Sequence, residues 1–84
     1  MSKTHVVISD IGKKYENPIA ELVQVACQFS SSLHLVKDEH RVNVKSILGI
    51  MAISPSLGME VDIEAEGKDE DAAVAAIEDF LLCR

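Results

Sequence analysis

Residues Met59-Glu60-Val61-Asp62-Ile63-Glu64-Ala65-Glu66 alternate apolar and acidic side chains without a miss. Successive side chains on a strand point to opposite faces, so this period of two predicts a strand with one dry face and one wet face. Met59, Val61, Ile63 and Ala65 line the dry face, and the other face is entirely acidic. Sheets with one solvated face are typically antiparallel, and helices must then cover the apolar side.

Toward the C-terminus, Gly67-Lys68 marks a turn and Asp69 is the expected N-cap of a last helix. Glu70 and Asp71 fall in its first turn, where negative charge meets the helix dipole favourably. Ala73, Ala76, Ile77, Phe80 and Leu81 then repeat with helical spacing.

Toward the N-terminus, Leu57-Gly58 leads into the strand and Ser54-Pro55-Ser56 breaks the element before it, since a residue preceding proline avoids the helical region. That element is a short helix from Ile47 to about Ile53, capped by Ser46. Leu33–Val36 and Arg41–Val44 read as two strands of a hairpin turning at residues 37–40. Asn17-Pro18 reads as a helix start, with Asn17 as N-cap and Pro18 at the first helical position. Ile19, Leu22, Val23 and Ala26 carry its apolar stripe, and Ser30-Ser31-Ser32 ends it. Thr4–Ser9 is β-branched and reads as the first strand, followed by a loop at Gly12-Lys13-Lys14.

The predicted order is β-α-β-β-α-β-α, an α+β fold. Four antiparallel strands carry three helices on one face, in a single domain spanning residues 1–84. The chain has only 84 residues, yet 48% of them are hydrophobic, mostly small aliphatics. Such a core suits thin layers of helix on sheet.

The formal net charge of −6 argues against nucleic acid or an anionic membrane as partner, because phosphate neutralisation requires clustered Lys and Arg. Residues 1–10 lack the apolar run of a secretory signal, and no stretch approaches a bilayer span. Cys27 and Cys83 show neither CxxC spacing nor a metal pattern, which predicts a reduced, cytoplasmic protein with no metal or cofactor. A Cys27–Cys83 disulfide is the alternative.

This element order resembles the HPr family, the histidine phosphocarriers of the bacterial sugar phosphotransferase system. Three stretches carry the resemblance. Asn43-Val44-Lys45-Ser46-Ile47-Leu48-Gly49-Ile50-Met51 is similar to the family's regulatory-serine motif. Leu57-Gly58, the alternating strand and Gly67-Lys68-Asp69-Glu70 form the second, and Gly12, Pro18 and Ala20 the third. The resemblance implies the open-faced β-sandwich of that family.

The chain also departs from the family. The family's active loop reads Gly-(Ile/Leu)-His-Ala-Arg-Pro-Ala. Here it runs Gly12-Lys13-Lys14-Tyr15-Glu16-Asn17-Pro18-Ile19-Ala20. Tyr15 stands at the histidine position, Asn17 at the arginine position, and Glu16 replaces a small neutral residue. The carrier chemistry needs a neutral imidazole nitrogen that attacks a phosphoryl group, with a helix N-terminus and an arginine to stabilise the charge. A tyrosine with pKa near 10 is protonated at neutral pH and gives no comparable high-energy phosphate. His5, His34 and His40 stand in or beside strands, none before a helix N-terminus.

The resemblance therefore implies a histidine-less, Crh-like branch of the family, regulatory and not an enzyme. Ser46 would be phosphorylated by HPr kinase/phosphorylase, and the product would bind a catabolite control transcription regulator. Partner-binding residues are expected at Tyr15, Glu16 and Asn17 and at Ile47, Leu48 and Met51, although some of those last three are also expected to fill the core. The alternative is a phosphorylation-independent binding module using the Tyr15 loop and the first helix, through Glu21 and Gln24. A homodimer that exchanges the first strand through a hinge at Asp10–Lys14 also stays open.

Overall fold

The computed structural model describes all residues, 1–84. Strands β1 (Ser2–Val7), β2 (Ser32–Lys37), β3 (His40–Asn43) and β4 (Glu60–Glu66) form one antiparallel sheet in the order β1-β4-β2-β3. Helices α1 (Ile11–Lys14), α2 (Pro18–Ala26), α3 (Ile47–Ile53) and α4 (Glu70–Leu81) complete the chain. No helix is long and apolar enough to cross a membrane.

The alternating stretch became the interior strand β4. Val6↔Val61 and Leu35↔Ile63 pair across it on the dry face, where all four side chains are buried. His5↔Asp62, Lys3↔Glu64 and His34↔Glu64 pair on the wet face. Glu60 is exposed, and Asp62 and Glu64 are half-buried, among Lys3, His5 and Arg41.

Five details depart from the sequence reading. The expected loop at Gly12-Lys13-Lys14 is a single helical turn, α1, closed by Lys14 N–H to Asp10 O (3.2 Å) and Tyr15 N–H to Ile11 O (2.9 Å), and anchored by buried Ile11. One turn offers no periodicity to read. The first strand begins at Ser2 and ends at Val7, two residues earlier than expected at each end.

The core side of α3 is Ile50 and Ile53. Ile47, Leu48 and Met51 are 49%, 79% and 52% exposed, so none of the three belongs to the core. A helix this short buries two positions one turn apart, and those two suffice. In α4, Val74 is buried where Ala76 was expected, beside Ala73, Ile77, Phe80 and Leu81.

Asp69 does precede α4, but its carboxylate does not cap that helix. It accepts from Ser30 N–H (3.0 Å), Ser31 N–H (2.9 Å) and the Ser31 hydroxyl, in the turn after α2. These three donors hold its pKa down at about 2. Gly67, with φ of +149°, lies so close to Ser31 that a Cβ there would stand 2.6 Å from its Oγ.

Helices α2 and α4 are therefore joined at both ends and run antiparallel. Ser30 and Ser31, after α2, hold Asp69 before α4, while Tyr15, before α2, packs on Phe80 in the last turn of α4. Cys27 closes α2 at one end of the pair and Cys83 follows α4 at the other. About 13 Å of helix separates those ends, beyond the ~7 Å Cα reach of a disulfide. Both cysteines are free.

Candidate functional site

The residues singled out by sequence fall into two groups. The first surrounds Tyr15, between α1 and α2. Its ring lies flat on Phe80, with centroids 4.0 Å apart and planes 4° apart. Its hydroxyl donates to the Phe80 carbonyl at 3.1 Å. That carbonyl also accepts from Cys83 N–H, and the neighbouring Lys14 ammonium donates to the Cys83 carbonyl at 2.8 Å. Two side chains from the α1–α2 junction thus donate to carbonyls at the C-terminal end of α4, where positive charge and donors are favoured. Burial first, then the Cys83 and Glu21 charges, push the Tyr15 phenol above its ordinary value. The hydroxyl keeps its proton and is no nucleophile at neutral pH.

Glu16 and Asn17 are exposed. Asn17 is the N-cap of α2, but its side chain makes no capping bond. Instead its backbone N–H donates to Glu21 Oε2 at 2.9 Å. An amide at the mouth of α2, where an anion would find a donor, is thus occupied by the chain's own carboxylate.

The second group is the start of α3. Ser46 is half-buried, and its Oγ accepts from Gly49 N–H at 3.1 Å, as an N-cap should. Gly49 permits this close start, since a Cβ there would meet Asn43 O at 3.1 Å. Lys45 reaches away from Ser46 to the Phe29 carbonyl at 2.7 Å, tying α3 to the end of α2. Beyond Ser46, Ile47, Leu48 and Met51 form an apolar face open to solvent. Helix α2 packs on both α3 and α4, so it stands between the two groups.

The histidines lie elsewhere. His5 and His34 are on the wet sheet face and His40 is exposed at the hairpin. Burial and Arg41 lower the His34 pKa against the pull of Glu64. No group of three or more His, Cys, Asp or Glu residues is placed to hold a metal ion. The reading from sequence identified Tyr15 and Ser46, and Glu21 only as part of an alternative interface, but not Phe80 and Lys14, which with Glu21 determine what the Tyr15 segment can do. Tyr15 and Phe80 are separated by 65 positions, and no local spacing signals their contact.

An open-faced antiparallel sheet covered by helices, with a serine capping α3 and a tyrosine before α2, defines a small carrier-type fold. The family model described as "PTS HPr component phosphorylation site" matches residues 1–82, and the chain belongs to the HPr family. It is 47% identical over 64 residues to the phosphocarrier protein HPr of Treponema pallidum (strain Nichols), covering 76% of this chain and 73% of that protein. Among solved structures it is similar to HPr-C-His from Thermoanaerobacter tengcongensis, with a TM-score of 0.88, 38% identity, and coverage of 96% of this chain and 91% of that one. It is also similar to the Bacillus subtilis catabolite-repression protein Crh, described as a domain-swapped dimer. There the TM-score is 0.73, identity 34%, and coverage 90% and 83%.

Proposed function

We propose that this member of the HPr family is a regulatory protein and not a phosphoryl carrier. The observation that carries the reading is the state of Tyr15: ring and hydroxyl are both committed to Phe80. A carrier needs a free nucleophile at this position and an open helix N-terminus to hold the transferred charge. Here the phenol is bonded and protonated, Glu21 occupies the Asn17 amide, and Glu16 adds negative charge beside it.

Signalling then runs through Ser46, phosphorylated by HPr kinase/phosphorylase in the cytoplasm. Its hydroxyl accepts one bond from Gly49 and donates to no protein group. A phosphate there meets the positive end of α3, so modification is compatible with the fold. The partner is a catabolite control transcription regulator, recognised through the phosphoserine together with Ile47, Leu48 and Met51. The exposure of all three supports this, since an apolar face beside a modifiable serine gives both contact area and a switchable charge. The packing of Tyr15 gives no support to the alternative in which it is the tip of a separate binding module.

Incubation with HPr kinase/phosphorylase and ATP should add one phosphate to the chain, and none to Ser46→Ala. Absence of incorporation in the unaltered chain would sink this reading. A dimer formed by exchanging β1 would have to unwind α1, which occupies the expected hinge.

A further inference from the structure

On the open face of the sheet, opposite the helices, His5 stands on the edge strand β1 with each ring nitrogen against a carboxylate of β4. Nδ1 is 2.8 Å from Asp62 Oδ1 and Nε2 is 3.2 Å from Glu60 Oε1. A neutral imidazole has one N–H donor and one lone pair. A lone pair facing a carboxylate oxygen is repulsive, so only the imidazolium, with two N–H donors, satisfies both contacts.

We propose that His5 is a proton-operated clamp on β1: it fastens the edge strand to β4 when the ring is charged and loosens it when the ring loses its proton. The strand depends on β4 more than the inner strands depend on any one neighbour, because an edge strand has a single sheet partner.

The charges around the ring favour this behaviour. From β4 it faces Glu60 and Asp62; from the β2–β3 turn, Asp38 lines the same open cleft, with Val36 of β2 beneath. Lys37 holds Asp38 at 3.2 Å. On β1 itself, Lys3 lies 3.8 Å from Asp62 and 3.7 Å from Glu64, and Arg41 reaches Glu64 at 3.3 Å. The lysine and arginine keep their charge across the whole range in which a histidine titrates. Lys3 therefore holds its end of β1 to β4 constantly, and Arg41 ties β3 to the same Glu64, while the contact at His5 is conditional.

The bond to Asp62, then that to Glu60, raise the His5 pKa above 6.5 against the opposing effect of desolvation. A group whose pKa is raised on folding contributes fully below its unfolded value and loses that contribution as pH rises through its folded value. The clamp is therefore closed in mild acid and opens on the alkaline side of 6.5. The imidazole is 56% exposed, so the effect is moderate and sensitive to salt.

Amide hydrogen exchange, read as protection factors, tests the clamp alongside an NMR titration of the ring. As pH passes the midpoint of His5, protection of the β1 amides paired with β4 should fall by about 2- to 5-fold relative to β2 amides, the range typical of exposed ion pairs. In His5→Gln, and in the unaltered protein at high salt, that fall should vanish. An equal fall in His5→Gln, or none in the unaltered protein at low salt, overturns the proposal. Asp62→Asn supplies a second measurement. It should lower the ring's midpoint, and an unchanged midpoint contradicts the clamp even if strand protection is too weak to follow.

Discussion

Tyr15 stacks face to face on Phe80 and bonds its carbonyl, so one residue both fills the gap between the α1–α2 junction and α4 and caps the end of α4. Tyr15→Phe should keep the stack and lose the hydrogen bond, costing about 0.5–1.5 kcal/mol. Tyr15→Ala should lose both and cost about 2–4 kcal/mol, since aromatic pairs contribute beyond their buried area. Urea unfolding of the two variants separates the contributions. Equal stability of Tyr15→Ala and the unaltered chain would show that the stack does not hold the helices together.

The two faces of α3 should respond differently to truncation. Ile50 is fully buried, and Ile50→Ala should cost about 2–5 kcal/mol. Met51→Ala should change stability by no more than about 0.5 kcal/mol, as exposed positions do. If the exposed face is the docking surface, Met51→Ala should instead weaken capture of the transcription regulator by the Ser46-phosphorylated protein. Thermal melts and a binding titration together check both statements.

The Ser31–Asp69 contact makes an acid-dependent contribution with a fixed sign. The Asp69 pKa falls from 3.8 to about 2 on folding, so its contribution is complete above 3.8 and is lost as pH falls through about 2. The stability difference between the unaltered chain and Asp69→Ala should be constant from neutral pH down to mild acid and then shrink. Acid unfolding monitored by circular dichroism reads this. A difference that grows on acidification contradicts the assigned role.

Gly67 combines a positive φ with contact to Ser31, so Gly67→Ala adds backbone strain to a clash. It should destabilise by more than about 1 kcal/mol. Pairing it with Ser31→Gly, which removes the nearest side-chain atoms, should give a cost smaller than the sum of the two single changes in a double-mutant cycle. Strict additivity would show that the two residues do not meet.

What the sequence made legible followed from periodicity. The alternation at Met59–Glu66 located the interior strand and its wet face, and Ser46 with its following apolar run located α3. Short elements escaped: α1 has too few residues for any period. The distinction between Ile50 and Ile53 inside and Ile47, Leu48 and Met51 outside depends on how a seven-residue helix lies on the sheet, and composition is silent about that. Tyr15 was visible as an anomaly in the family's loop, but its meaning lay in Phe80. Asp69 stands before α4 as its position predicts, yet its carboxylate serves the turn after α2, because a carboxylate beside a helix start can bond a neighbouring turn as readily as its own helix.

The central claim is that this chain is not a phosphoryl carrier. Intact-protein mass spectrometry after incubation with enzyme I and phosphoenolpyruvate tests it most directly, with an authentic HPr as positive control. The account predicts that the control gains one phosphoryl group and this chain keeps its original mass. A heat- and acid-labile phosphate on this chain, at any residue, would contradict it.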